Sequence, residues 1–175
     1  MYSIDLVDPG GETYRGIARK RHPTWPGWRI IDKEKPFENF PENLYSKLRP
    51  LVQNFYKKEF WDKLKCEKVS SFETQQELFD TAVNMGKPRA VKFLQRTVNI
   101  LNRNQTLYED VEVDGVIGEE TLNAIQKLLK YDDVALIVLW MNVLQGAHYA
   151  QIIERNSVFE RYARGWMKRV KLTKT

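Results

Sequence analysis

The residues that could do chemistry gather at the start of the chain, in Asp5-Leu-Val-Asp-Pro-Gly-Gly-Glu-Thr-Tyr-Arg-Gly16. Three acids (Asp5, Asp8 and Glu12), a Pro-Gly-Gly turn and Thr13 share this one short polar segment. Pro9 fixes its own φ, and Gly10 and Gly11 permit backbone turns that other residues resist. Such a turn can hold Asp8 and Thr13 close together on a stiff loop open to solvent. A carboxylate placed that way can exchange a proton with a reacting group. The plain alternative is an ordinary surface turn, and turn chemistry alone favours it.

A second polar stretch, Val113-Asp-Gly-Val-Ile-Gly-Glu-Glu-Thr-Leu-Asn-Ala-Ile125, invites comparison with a calcium loop. Asp110, Glu112, Asp114 and Gly115 fall at the first, third, fifth and sixth positions of that pattern. The twelfth position, which needs a bidentate glutamate, is Thr121, and Glu120 is one residue off register. A calcium loop is therefore rejected. Cys66 is the only cysteine and His22 and His148 the only histidines, which leaves neither an internal disulfide nor a structural zinc site. No metal and no cofactor are expected. His148 has no evident acid or nucleophile to pair with and reads as a partly exposed hydrogen-bonding side chain.

The elements that must position these residues are helical. At 175 residues, 42% hydrophobic and 29% charged, the chain has room for one domain with a core and is neither disordered nor membrane-like. Its longest apolar stretch, Val134 to Leu144, is interrupted by Asn142 and falls short of the ~20 residues that cross a bilayer. No membrane span is expected. The N-terminus is acidic and turn-rich where a signal peptide would be basic and then apolar. That predicts a protein cytoplasmic as synthesised. From Glu154 onward seven basic residues face two acids, so the last stretch holds the whole excess of +5.

Ile17 to His22 suits a short helix halted by Pro23, and Trp25-Pro-Gly-Trp28 places two indoles on a rigid turn. Those indoles could stack on sugar or cover a core. Glu42 to Leu64 carries apolar residues at helical spacing, with Pro50 expected to kink or divide it. Tyr56, Phe60 and Trp61 read as core. Ser70-Ser71 should cap the next helix, with Glu73 and Glu77 near the positive end of its dipole. Gly86-Lys-Pro88 ends it and opens another, which carries Val91, Leu94, Val98 and Leu101. Asn102 to Tyr108 is a polar loop. Asp132-Asp133 caps a central helix to about Arg155, and a last helix packs Phe159, Tyr162, Ala163, Trp166 and Val170 inward.

The run Asp-Pro-Gly-Gly-Glu-Thr-Tyr-Arg-Gly-Ile-Ala18 resembles the signature of the lysozyme-like muramidases of glycoside hydrolase family 108, found in phage endolysins and secretion-activator proteins. The Val-Asp-Gly-x-x-Gly-x-x-Thr121 stretch is similar to the peptidoglycan-binding segment that closes those proteins, and Arg-Tyr-Ala-Arg-Gly-Trp166 to their final Gly-Trp motif. A helix–turn–helix brace for the fold explains the second motif equally well. The resemblance implies a mainly helical, lysozyme-like all-α fold with room for a short β-hairpin or an irregular loop near the N-terminus. It divides the chain into a lysozyme-like region at 1–86, lacking its first helix, and a peptidoglycan-binding region at 87–175 packed into the same globule.

The resemblance also implies a peptidoglycan hydrolase that cleaves the glycan strand as a muramidase. Such cleavage needs a carboxylic acid to protonate the leaving oxygen and a second group to activate water or face the positive sugar ring. Asp8 matches the loop acid and takes the electrostatic or base role, Thr13 positions water or substrate, and Glu12 is a weak substitute acid. Tyr14, Arg15, Trp25, Trp28, Asn84 and Gln95 are the implied substrate contacts. The family's general-acid glutamate would stand two positions before Met1, so this chain is expected to be weak or inactive by itself. The implied partner is bacterial peptidoglycan, reached at the periplasm or wall after lysis or export through a holin-type partner. A peptidoglycan-binding relative that does not cut is the alternative. A basic nucleic-acid binder is remote, because no groove-reading motif is present.

Overall fold

The computed structural model describes residues 2–4 and 10–171, and the chain forms two compact units, Met1–Glu59 and Phe60–Thr175. The fold is mainly helical with one small sheet. That sheet opens the first unit, as three antiparallel strands in the order β1 (Tyr2–Ser3), β2 (Thr13–Tyr14) and β3 (Ile17–Ala18). Tyr14 pairs with Ile17 across a two-residue turn. The turn residues Arg15 and Gly16 have φ of 46° and 83°, the left-handed pair whose twist suits a tight hairpin. A Cβ on Gly16 would lie 2.6 Å from the Tyr56 hydroxyl, which donates to the Arg15 carbonyl at 2.7 Å.

Sequence pattern alone suggests a helix at Ile17–His22, and the structure corrects this. Ile17 is fully buried in the sheet, and residues 19–21 turn. After Pro26 comes α1 (Gly27–Lys33), which the sequence reading does not anticipate. Next is α2 (Glu42–Tyr56), which contains Pro50 without being divided and passes into a π-helical turn at Lys57–Trp61. Pro50 withdraws one backbone donor, but Leu44 and Leu48 anchor the turns before it in the core. Tyr14, Ile17, Trp25, Trp28 and Ile31 complete that core.

In the second unit α3 (Phe72–Met85) packs along α4 (Lys87–Leu101), and α6 (Val134–Arg155) lies against both. The helix α5 (Glu119–Leu128) packs on α4. Ser71 caps α3 by accepting from the Thr74 N–H at 3.1 Å, and Asp133 caps α6 by accepting from Ala135 at 2.9 Å. By length and composition α6 could cross a membrane. Here Ile137, Met141 and Leu144 are buried on it, together with the polar Asn142 and Gln145. The expected last helix is instead a 3-10 segment at Ser157–Tyr162 followed by α7 (Ala163–Met167). Its rings are not buried; Trp166 stacks on Tyr149 of α6 at 4.9 Å, and Phe159 and Tyr162 stack on Trp166.

Glu77 also departs from its expected place. It stands past the first turn of α3, only 8% exposed, where the Thr81 hydroxyl donates to its carboxylate at 3.1 Å. Burial pushes its pKa above the usual carboxylate range, against the hydrogen bonds from Asn142 and Thr81. A carboxyl with a raised folded pKa binds its proton more tightly in the fold, so stability falls as pH rises from the unfolded value through the folded one. Glu77→Gln keeps an acceptor for Thr81 and removes the buried charge. Its melting temperature should rise by about 2–4 °C at neutral pH. The gain should vanish near about pH 4, where the wild-type carboxyl is protonated. A calorimetric comparison at the two pH values checks this.

Candidate functional site

The polar segment around residues 10–16 is held by one ion-pair network. The Arg19 guanidinium lies 2.6 Å from Glu12 and 2.7 Å from Asp32, and Lys35 reaches Glu12 at 2.8 Å. The Tyr2 hydroxyl donates to Glu12 at 2.8 Å. Burial opposes ionisation of Glu12, but Lys35, Tyr2 and Arg19 outweigh it and hold its carboxyl below the ordinary range. A general acid needs the opposite shift. Glu12 therefore fits a clamp joining β1, the loop and the end of α1, and not the substitute acid that the sequence suggests.

Asp8 lies outside the described residues. Thr13 is half-buried, its hydroxyl donating to the Gly11 carbonyl at 3.1 Å and closing the Gly10–Glu12 turn. Arg15 is exposed at the hairpin tip, its guanidinium 5.9 Å from the ring centre of Tyr45. Those two remain accessible to a ligand on this unit.

Tyr14, Trp25 and Trp28 do not. Tyr14 is stacked between Trp25, at 5.9 Å, and Phe40, at 5.2 Å. Trp25 packs edge-on to Trp28 at 5.1 Å. Their indole N–H groups donate to the Leu51 and His22 carbonyls at 3.4 and 2.8 Å. All three rings are buried and both indole N–H groups are used internally, so as placed they are core and not sugar platforms.

On the second unit Gln95 is buried and braces the Val113–Ile125 stretch. Its amide donates to Asp114 at 2.7 Å and to the Val116 carbonyl at 3.0 Å, and its oxygen accepts from the Gly115 N–H at 2.9 Å. Its amide is engaged within the fold and the residue is only 1% exposed, so as placed it braces the loop and does not reach a substrate. Asp114 also accepts from Val116 N–H at 2.8 Å, and these bonds hold its carboxyl below the usual range. Asn84 is half-buried at the end of α3, its amide donating to the Asp80 carbonyl at 2.8 Å.

Two openings accompany these residues on the second unit. A groove of about 850 Å³ runs between α3 and α6, with Trp61, Phe72 and Phe79 on its walls and Glu77 inside it. A smaller notch of about 270 Å³ contains Asn84, Arg89, His148, Trp166 and Arg169. Sequence reasoning passes over Arg89 and Arg169 as ligand contacts. The only available signal was an arginine without a neighbouring acid in the first turn of α4. Among the described residues no group of three or more His, Cys, Asp or Glu side chains could hold a metal ion.

Comparison with known proteins divides the chain between α3 and α4, later than the boundary between the two compact units. Residues 1–86 match the family model of glycosyl hydrolase 108, and residues 89–171 match that of a predicted peptidoglycan domain. No curated protein matches. Among eleven matching chains of solved structures is SagA of Brucella abortus. It is 22% identical, with a TM-score of 0.61 over 97% of this chain and 80% of that one, a likeness of fold. The chain is thus a family-108 protein carrying a peptidoglycan-binding segment, a lysozyme-like protein of the peptidoglycan-hydrolase type that acts at the cell wall.

Proposed function

We propose that the protein cleaves the glycan strand of peptidoglycan as a muramidase, with residues 1–86 as the catalytic region and 87–175 as the wall-binding region. The observation that carries this is the family match over 1–86, which contains the whole Asp5–Gly16 segment. In this reading Asp8 supplies negative charge or a base opposite the sugar, Thr13 orients water, and Arg15 meets a polar group of the substrate. The clamped hairpin supports the last two roles, because Thr13 and Arg15 are fixed by strand pairing and by the bond from Tyr56. Loss of a positioned acid or base typically forfeits about 10²–10⁴-fold in rate. Asp8→Asn should therefore lower the release of reducing ends from purified peptidoglycan by at least about 10²-fold, with sedimentation on sacculi unchanged. A variant that cuts as fast as the parent removes Asp8 from the mechanism.

The ionised, paired state of Glu12 favours a second reading. Without a proton donor in the described part of the loop, the chain could bind the wall and leave it uncut. Co-sedimentation with sacculi and no new reducing ends is the result this reading expects.

A further inference from the structure

The notch at the start of α4 is built from four parts of the second unit. Asn84 comes from the end of α3, Arg89 from the first turn of α4, His148 and Tyr149 from α6, and Trp166 and Arg169 from the closing segment. Its lining holds two guanidinium groups and no carboxylate. Arg89 has no ion-pair partner among the described residues. Arg169 has only a loose one, with Asp80 at 4.0 Å and both side chains about half exposed. The adjoining end of α4 is electropositive as well: its N-cap is Gly86, with no side-chain cap and no acid in the first turn. Burial and the charges of Arg89 and Arg155 hold the His148 pKa below its ordinary value, as expected where positive charge is uncompensated.

The remaining walls narrow the ligand. Tyr149 and Trp166 stack at 4.9 Å and 25°, giving a flat apolar side. The Asn84 amide nitrogen is engaged by the Asp80 carbonyl and carboxylate, which leaves its oxygen as an acceptor on a residue that lines the notch. A carboxylate for the two arginines, an amide N–H for Asn84 and a small apolar group for the indole describe the end of a short peptide. At about 270 Å³ the space lies below the range of pockets that enclose a larger ligand, and a glycan strand carries no terminal carboxylate.

We propose that this notch binds the carboxylate-bearing peptide of the cell wall, and not its glycan. The proposal rests on peptidoglycan being the partner, and it assigns the peptide stem to Arg89, Arg169, Asn84 and Trp166.

The test uses the full chain labelled with nitrogen-15, and follows the indole N–H of Trp166 during titration. The probe is N-acetyl-Lys-D-Ala-D-Ala, whose one carboxylate is its C-terminal acid; its C-terminal amide and inorganic phosphate are the comparisons. The expected result is a saturating shift with the acid. Binding should be at least about tenfold weaker for the amide, and for the acid to Arg89→Gln or Arg169→Gln, since charge-assisted pairs with arginine are lost. Both arginines are exposed, so these variants should keep the parent's melting temperature. No shift with the acid, equal binding of the amide, or phosphate binding as tightly as the peptide would each overturn the assignment. Sedimentation with sacculi separates the two levels. A parent chain that stays in solution refutes the wall as partner, whereas a double variant that pellets like the parent refutes only the notch.

Discussion

Replacing Gly27 with alanine should destabilise the first unit by about 3 kcal/mol, the upper end of the usual cost of overpacking. Gly27 opens α1 directly beneath the Trp25 ring. A Cβ there would lie 2.1 Å from one ring carbon and 2.2 Å from the next, a separation that real atoms do not adopt. The ring has nowhere to go. It is stacked on Tyr14, set edge-on to Trp28 and tied by its N–H to the Leu51 carbonyl. Moving it would disturb the hairpin that presents Thr13 and Arg15. Thermal unfolding by circular dichroism measures the effect. Adding Trp25→Leu to Gly27→Ala should return part of the loss, since the smaller side chain clears the new methyl group. A Gly27→Ala chain that melts like the parent would contradict this packing.

The second large effect is expected at Gln95. Leucine there has a similar volume but none of the hydrogen bonds, so Asp114, the Val116 carbonyl and the Gly115 N–H all lose a partner at once. Leaving buried polar groups unsatisfied costs roughly 1–3 kcal/mol each, and solvent can rescue the exposed side of Asp114, so a net loss of about 3 kcal/mol is expected for Gln95→Leu. The Gly115 amide should show the loss most sharply, as faster hydrogen exchange. If Gln95→Leu instead kept the parent's stability and exchange while losing wall binding, the brace would be the wrong description and the substrate role the right one.

These two positions show what the sequence could and could not convey. Gln95 and the Val-Asp-Gly-x-x-Gly-x-x-Thr run are visible as polar residues with turn chemistry. Their bond spans nineteen positions or more, which no local pattern records. Trp25 and Trp28 are legible as indoles on a turn, and residue type alone puts core only slightly ahead of sugar platform. What decides between them is the Cβ-free space above Gly27 and the carbonyls that meet both N–H groups. The caps Ser71 and Asp133 were legible because the cap and its helix are neighbours in sequence. The strand Ile17–Ala18 was not, because Ile17 owes its place to Tyr14 across the Arg15-Gly16 turn. Tyr14 follows from the same pairing: the strand turns it into the core while the hairpin tip sends Arg15 outward. Glu77 looked like an acid placed for the helix dipole. Its partners Thr81 and Asn142 come from two different helices, and only the packing of α3 on α6 brings the second one near.

The two regions carry different kinds of support for function. In 1–86 the family match supports a function of the peptidoglycan-hydrolase type, with the described acid Glu12 committed to ion pairs. In 89–171 the family match names peptidoglycan, and the cationic notch offers a place for its peptide. Attachment through the peptide would leave the glycan strand accessible for cutting, so the two activities need not compete for one part of the polymer.

The measurement that tests the central claim most directly is prolonged digestion of purified peptidoglycan by the chain, followed by borohydride reduction and mass analysis of the fragments. Muramidase cleavage predicts newly reduced N-acetylmuramic acid at the fragment ends. Reduced N-acetylglucosamine ends, peptide cleavage without new reducing ends, or an intact polymer with the chain bound to it would contradict the claim.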